Sequence, residues 1–490
     1  MFSGRRNAFF RVTPGEGELC AFAVKRGDII KRLDVHANHP KFQIEFQRLS
    51  DKYEVLPLKN FAISIFSGIT PKSGGDAYTN DGTGVLFIKS GCLSMDGALN
   101  IDEASKIKPT VHEKLMHSSQ LNKNDVLIAI VGATIGKVSL FTEDRPANIN
   151  QAIAAVRLDE KRLLPQFLTA YLLSPVGQTY LEFLKRPVAR ANINLEEIGE
   201  IGIPNLSLEN QKKFADDFYA MRNAKTDKLS QANKLLRGTS LHVLKNMLGI
   251  SFDISDGQYT YATKYVDIEN RLDADYYSPQ FVHFRRQIEE SEYSVYCIGD
   301  ISESIVTGFA AGKQDQADEM SDERRVPHLR PFSITPEGEL SFETQKYVPI
   351  DNLKEDDYCK KNEVIFNNTN SPDLVGKTTV FDADVLCAVS NHMTRITVKD
   401  GINPYYISAF FNVLLSIGYW KLLCTNFNNQ AGVNIDTLKS VRIPLPEKSV
   451  QDEIATEIMQ RRRKANTLRR EAEAEWKKAK EEFENELLKG

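Results

Sequence analysis

KRGDIIKRLD (residues 25–34) and KYVDIENRLD (residues 264–273) are one phrase written twice. Lys25, Asp28, Ile29, Arg32, Leu33 and Asp34 recur 239 positions later, and each copy runs on into a proline and an aromatic, HPKF (39–42) and SPQF (278–281). The offset then settles at 240. Gly68 maps to Gly308, Gly136-Lys137 to Gly376-Lys377, Phe141 to Phe381, Asn194 to Asn434, Ile203-Pro204 to Ile443-Pro444 and Gln211 to Gln451. One matching tripeptide is chance, but a register held from Lys25 to Gln211 is a tandem duplication. The chain is thus two copies of one module. Lead-in segments occupy 1–51 and 251–293, mixed bodies 52–204 and 294–444, and long helices 205–250 and 445–490.

At 490 residues with 41% apolar side chains, the chain is too long for one core and apolar enough to fold. Its net charge, 62 − 66 = −4, gives no global basic footprint. That counts against a simple stand-alone DNA binder and leaves local basic surfaces open. The six cysteines are scattered with no Cys-x-x-Cys, as in a reduced, cytoplasmic protein. The close histidine pairs, His36/His39 and His112/His117, have no partner at metal-ligand spacing, so no metal is expected. MFSGRRNAFFRV lacks the apolar run of a signal peptide, and the stretch near Ile407 to Leu415 is too short to span a bilayer. No membrane partner follows.

Each body alternates short apolar strands with Gly/Asn/Ser/Asp turns. DVLIAIVGATIGKVSLF (125–141) and EVIFNNTNSPDLVGKTTVF (363–381) share the order strand, polar turn, Gly-Lys, strand, which is a hairpin signature. A phosphate-binding P-loop is excluded. Gly132 to Gly136 is one residue short, and Val138 stands where the Mg²⁺-binding hydroxyl belongs. Lys137 and Lys377 fall at the hairpin tips, as phosphate anchors or as plain solvated lysines. Apolar helices follow, LPQFLTAYLLSPVGQTYLEFL (164–184) and NPYYISAFFNVLLSIGYWKLL (403–423), each trailed by a polar stretch. Arg186, Arg190, Asn192 and Asn194 in the first, and Asn426, Asn428, Asn429 and Gln430 in the second, are base-reading side-chain types. Turn chemistry accounts for the asparagines equally well. The bodies also differ at KSGCLSMDG (89–97) and RPFSITPEG (330–338). Lys72, Lys89, Lys313, Arg330 and Asn368 complete the candidate DNA-binding set.

The segments after Pro204 and Pro444 predict helices of thirty or more residues, roughly 45–60 Å at 1.5 Å per residue. Phe214, Phe218, Met221, Ala232 and Leu235 mark a seam on the first; Ile454, Ile458, Ala465, Leu468, Ala472, Ala479 and Phe483 mark one on the second. Ser207 is a candidate N-cap, and Ser449 with Asp452 a candidate capping box. The seams suggest an antiparallel coiled coil, with separately packed helices as the alternative. Residues 207–248 carry +4 and residues 461–490 carry +3, positive against a negative whole, which suits a rod near nucleic acid or a solvated face.

The paired RLDVHANHP and RLDADYYSP, the turn starts FSGIT and VTGFA, DVLIAIVGATIGKV with its partner, NINLEEIGEIGIPNLSLENQ and VNIDTLKSVRIPLPEKSVQDEI resemble the DNA specificity subunit of type I restriction-modification systems. The resemblance covers nearly the whole chain. IPNLSLENQ lacks the second proline of IPLPEKSVQ, and the first 24 residues carry no family pattern. The resemblance implies two mixed α/β target recognition domains, each reading half of a split site in double-stranded DNA. It implies helices that set the unread gap and dock two modification subunits. It assigns no catalytic residue and no cofactor to this chain; S-adenosylmethionine belongs to the modification subunits, and ATP with Mg²⁺ to restriction subunits. The rival is a fused or stand-alone DNA methyltransferase or endonuclease. For it the nearest motif is Asn403-Pro404-Tyr405-Tyr406, which lacks the second proline of an adenine-methyltransferase loop.

Overall fold

The computed structural model describes residues 36–72, 76–186, 191–252, 261–263, 268, 273–317, 325–343, 346–427 and 430–488. The chain forms two compact units, Met1–Asp227 with Glu471–Gly490, and Lys228–Arg470. The phrases 25–34 and 264–273 that reveal the repeat lie almost wholly outside the described residues, Ile268 and Asp273 excepted.

The first unit runs α1 (Pro40–Ser50), β1 (Val55–Pro57), β2 (Ala62–Ser67), β3 (Val85–Ile88), β4 (Ser105–Ile107), β5 (Val126–Ala129), β6 (Val138–Leu140), β7 (Ala147–Ile149), β8 (Ile153–Leu158), α2 (Pro165–Leu173), α3 (Pro175–Leu184), α4 (Leu195–Gly199), β9 (Gly202–Pro204) and the start of α5 (Leu208–His242). The second runs α6 (Pro279–Glu289), β10 (Ser294–Cys297), β11 (Ser302–Thr307), β12 (Arg325–Leu329), β13 (Lys346–Pro349), β14 (Val364–Asn367), β15 (Thr369–Asn370), β16 (Thr378–Val380), β17 (Ala388–Val389), β18 (Met393–Val398), α7 (Pro404–Ser416), α8 (Tyr419–Leu423), β19 (Thr425–Phe427), β20 (Gln430–Gly432), α9 (Ile435–Lys439), β21 (Arg442–Leu445) and the start of α10 (Lys448–Leu488). The repeated prolines Pro40 and Pro279 open α1 and α6, where a fixed φ and a missing N–H suit the first turn.

The three sheets of the first unit recur in the second, which adds the sheet β15-β20-β19. Sheets β2-β8-β5-β6 and β4-β3-β7 in the first unit match β11-β18-β14-β16 and β13-β12-β17 in the second; β1-β9 matches β10-β21. Even the register shift recurs, between Ala62 and Ser64 and between Ser302 and Ser304. The duplicated glycines show what the repeat protects. A Cβ on Gly68 would lie 1.7 Å from the Ile149 carbonyl oxygen, and one on Gly308 2.1 Å from that of Val389. The chain crosses β7 and β17 with no room for a side chain. The expected hairpins are β5–β6 and β14–β16, with Gly136 and Gly376 at φ +102° and +97° in their bends.

Each expected apolar helix is in fact two. Ser174 is extended before Pro175, which restarts the helix as α3; Gly418, at φ +76°, separates α7 from α8. Both pairs are buried in aliphatic and aromatic cores, around Phe167 and Tyr171 in one unit and Phe410 and Trp420 in the other.

In both units α5 and α10 run antiparallel. In the first, the Phe214 and Phe483 rings lie 5.3 Å apart, Phe218 and Trp476 4.9 Å, and Lys225 Nζ is 2.9 Å from Glu473. In the second, Arg469 donates to Asn233 at 3.0 Å and His242 lies 3.8 Å from Glu457. The seam on α10 holds, with Leu468 half-buried. On α5 Met221 is exposed, and Lys225 takes the buried position four residues on. Ser207 Oγ accepts the Asn210 amide at 3.3 Å, as an N-cap does. The capping box at Ser449 does not hold. α10 begins one residue earlier, and Asp452 accepts instead from Asn403 Nδ2 at 2.6 Å and from Lys448.

The repeated glutamines fasten each body to its helix. Gln211 accepts the Leu164 amide at 2.8 Å and donates to the Arg162 and Leu206 carbonyls; Gln451 accepts the Asn403 amide at 2.9 Å and donates to the Pro446 carbonyl. Both are buried, so each replaces water at the start of an apolar helix.

Candidate nucleic-acid interface

Cations flank the same two strands in each body. In the first body Lys72 is exposed in the loop after β2, and Lys89 follows β3. Lys89 Nζ donates to Ser105 Oγ at 2.8 Å and sits 5.7 Å from the Tyr78 ring and 5.8 Å from that of Phe87. In the second body Lys313 is exposed in the loop after β11, and Arg330 follows β12. That loop also carries Gln316, whose Oε1 accepts from Arg330 Nη2 at 2.5 Å. Two residues before Arg330, on the same strand face, His328 is buried with neither ring nitrogen hydrogen-bonded; its ring is 4.8 Å from Phe309. Burial, and then the Arg330 charge, push its pKa down to about 4. Arg330 Nε and Ser390 Oγ also lack partners. Gln316, Phe309 and His328 escaped sequence reasoning. The period-2 spacing of His328 and Arg330 on β12 was their only signal.

The opposite end of each divergent loop turns toward a long helix. Its turn is spent on the long helix of its own unit: Asp96 lies 3.8 Å from Lys225, Glu337 pairs with Arg469, and Glu339 accepts from Asn466 at 2.5 Å. The Ser94 hydroxyl, with the nearby Lys225 and Arg222 charges, outweighs burial and holds the Asp96 carboxyl low.

Three candidates are corrected by their own hydrogen bonds. Lys377 is buried, with Nζ donating to the carbonyls of Pro331 at 2.8 Å and Ile334 at 2.7 Å, so it is not at an exposed tip and spends two of its three N–H donors inside its own body. Asn368 is buried, donating to the Asn391 carbonyl and to Thr394 Oγ1 and accepting from Thr369. Asn194 caps α4 in a reciprocal box with Glu197, so turn chemistry wins there, as it does at its repeat Asn434 above α9. Lys137 is half-buried, and Arg186 is exposed but paired with Glu197 at 2.8 Å. Asn192 is exposed on an edge bridge to Val131. Asn426 and Gln430 are exposed on β19 and β20, which with β15 form a small sheet. Arg190, Asn428 and Asn429 lie outside the described residues.

Among the described residues, no group of three or more His, Cys, Asp or Glu is placed to hold a metal, and no helix is long and apolar enough to cross a membrane. Asn403, the methyltransferase-like candidate, spends its side chain capping α7, with Oδ1 accepting the Tyr405 amide at 2.8 Å, and on Asp452.

The type I restriction modification DNA specificity domain model matches this chain twice, at residues 74–235 and 290–475, over the duplicated bodies and into both long helices. The chain belongs to that family. Its relatives include the type I restriction enzyme EcoBI specificity subunit of Escherichia coli, 31% identical over 167 residues, which are 33% of this chain. The match spans 35% of that relative, about a third of its length. A solved structure described as the basis of complex assembly and conformational transition of the type I R-M system covers 89% of this chain and 98% of its own. At 13% identity and a TM-score of 0.51, it shares the specificity-domain fold. The S subunit from M. genitalium, at 12% identity, covers 89% of this chain and 96% of its own with a TM-score of 0.42.

Proposed function

We propose that each body reads one half of a split site in double-stranded DNA, while the paired helices set the unread gap and dock two modification subunits in the cytoplasm. The observation that carries this reading is the contrast between framework and surface. Glycine crossings, register shifts, buried glutamines and a cation after β3 and β12 are kept in both bodies; the polar groups around them diverge, with His328 where the first body has Phe87, and with exposed Asn426 and Gln430 on a β15-β20-β19 sheet that the described residues of the first body lack. A scaffold duplicated with divergent exposed groups suits two readers of different sequences. Phosphate contacts from Lys and Arg position the duplex, and base-edge contacts select the sequence.

Methyl transfer from S-adenosylmethionine falls to the modification subunits, and ATP- and Mg²⁺-dependent steps to restriction subunits. A methyltransferase on this chain is the weaker reading, because Asn403 is committed to a helix cap. The test is a map of methylated adenines in DNA exposed to the chain co-purified with its modification subunits. Two short sequence blocks separated by a fixed unread gap are expected; one continuous block, or methylation by the purified chain alone, overturns the reading.

A further inference from the structure

Residues 460–470 of α10 read QRRRKANTLRR, six cations and no acid in eleven positions. Three are committed within the second unit. Arg461 pairs with Glu457 at 2.6 Å, Arg462 donates to the Gly338 carbonyl at 3.4 Å, and Arg469 pairs with Glu337. Arg463, Lys464 and Arg470 are exposed, and among the described residues none has a hydrogen-bond or ion-pair partner. Arg463 and Arg470 are seven residues apart. They therefore lie about 20° apart around the helix and about 10.5 Å apart along it.

The repeat supplies a control. In the helices the offset stays at 240, because buried Phe214, Phe218 and Ala232 fall on buried Ile454, Ile458 and Ala472. On the outward face the copies part. Asn223, Ala224, Asp227 and Ser230 are exposed on α5 where Arg463, Lys464, Thr467 and Arg470 are exposed on α10. One face carries −1 and its duplicate +3. Packing does not require this, since all three cations are exposed and, among the described residues, none has a hydrogen-bond or ion-pair partner.

We infer that Arg463, Lys464 and Arg470 form a sequence-independent phosphate-binding stripe for duplex DNA lying outside the bases that the bodies read. A polyanion complements three unpaired cations. An acidic protein surface fits less well, because a stable protein interface centres on apolar or aromatic anchors, and none of the exposed large hydrophobic side chains among the described residues lies on α10. The 10.5 Å between Arg463 and Arg470 corresponds to about three base-pair steps of 3.4 Å, so the two can hold separate phosphates.

This inference rests on the DNA-recognition reading, and one experiment separates their failures. The full chain with its co-purified modification subunits is titrated with a random-sequence duplex at several salt concentrations, as wild type, as R463Q/K464Q/R470Q and as R463K/R470K. The glutamine variant should bind more weakly, with the slope of log K against log salt shallower by about 2.7, or 0.9 for each of three phosphates. The lysine variant should keep the wild-type slope, and the methylation map should keep its sequence blocks in both. If wild type binds no DNA, the recognition reading falls and takes the stripe with it. If wild type binds and the glutamine variant keeps its slope, the stripe alone is overturned. The stripe is equally overturned if the glutamine variant loses its modification subunits while its slope on DNA is unchanged.

Discussion

His328 is where the two bodies differ most in chemistry at one site. By strand pairing it occupies the position of Phe87: each is opposite the residue just before the last of its short parallel partner, Ala388 in β17 and Asn148 in β7. Phe87 needs no hydrogen bond, whereas His328 is buried with two unsatisfied nitrogens and a pKa near 4. The folded chain keeps this ring neutral, while the unfolded chain protonates it at its ordinary value of 6.5. Between those values the unfolded state binds the extra proton, so stability is fully present above about pH 6.5 and falls as pH drops toward 4. The loss is roughly 3 kcal/mol across the window. His328→Phe should flatten the decline of the urea midpoint between pH 7 and pH 4.5; parallel declines in variant and wild type would assign the acid sensitivity elsewhere. Lys377 teaches a related lesson. Gly-Lys is equally visible at 136–137 and 376–377, yet only the structure shows that the second lysine holds two carbonyls inside its body.

At the scale of elements, the proposed gap-setting role rests on how the long helices pair. Their pairing rests on interlocking positions: Phe214 with Phe483, Lys225 with Glu473, Asn233 with Arg469. Lengthening α5 alone would shift one side of this ladder against the other. Seven residues added to α5 after Asp227 and seven to α10 after Arg470 restore the facing, because two turns return nearly to the same azimuth. Each helix then gains about 10.5 Å. If the helices set the gap, the methylation map should show the same two blocks with a spacer about three base pairs longer. A folded, active complex with an unchanged spacer would remove the helices from that role. The helix seams were readable from their spacing. The breaks at Ser174-Pro175 and Gly418 were equally visible as residues, but an apolar run long enough for one helix masked them.

For the whole molecule, the useful fact is that each unit encloses its own core, one around Phe167, Tyr171 and Trp476 and the other around Phe366, Phe410 and Trp420. A surface change in one body is therefore expected to leave the other body's core intact. Asn426→Ala with Gln430→Ala, on the exposed β19–β20 sheet, should relax base preference in one block of the methylation map and leave the other block intact. Each lost bidentate contact is worth about 1–3 kcal/mol of discrimination. Equal degradation of both blocks would show that these residues do not read bases for one half.

The sequence by itself determined the duplication, the mixed α/β bodies, the hairpins and the two long helices. Each is written as a local pattern: a periodic apolar stripe, a glycine bend, or a proline at a helix start, kept twice. It also determined which stretches are polar enough to read DNA. Only the tertiary structure decided which members of those stretches already have their side chains committed within the fold. Asn194, Asn368 and Lys377 are of the same residue types as Asn426 and Lys313, and composition cannot separate them. What separates them is whether a carbonyl, an amide or a carboxylate from a distant strand has already claimed the side chain, as the Pro331 carbonyl claims Lys377 across 46 positions.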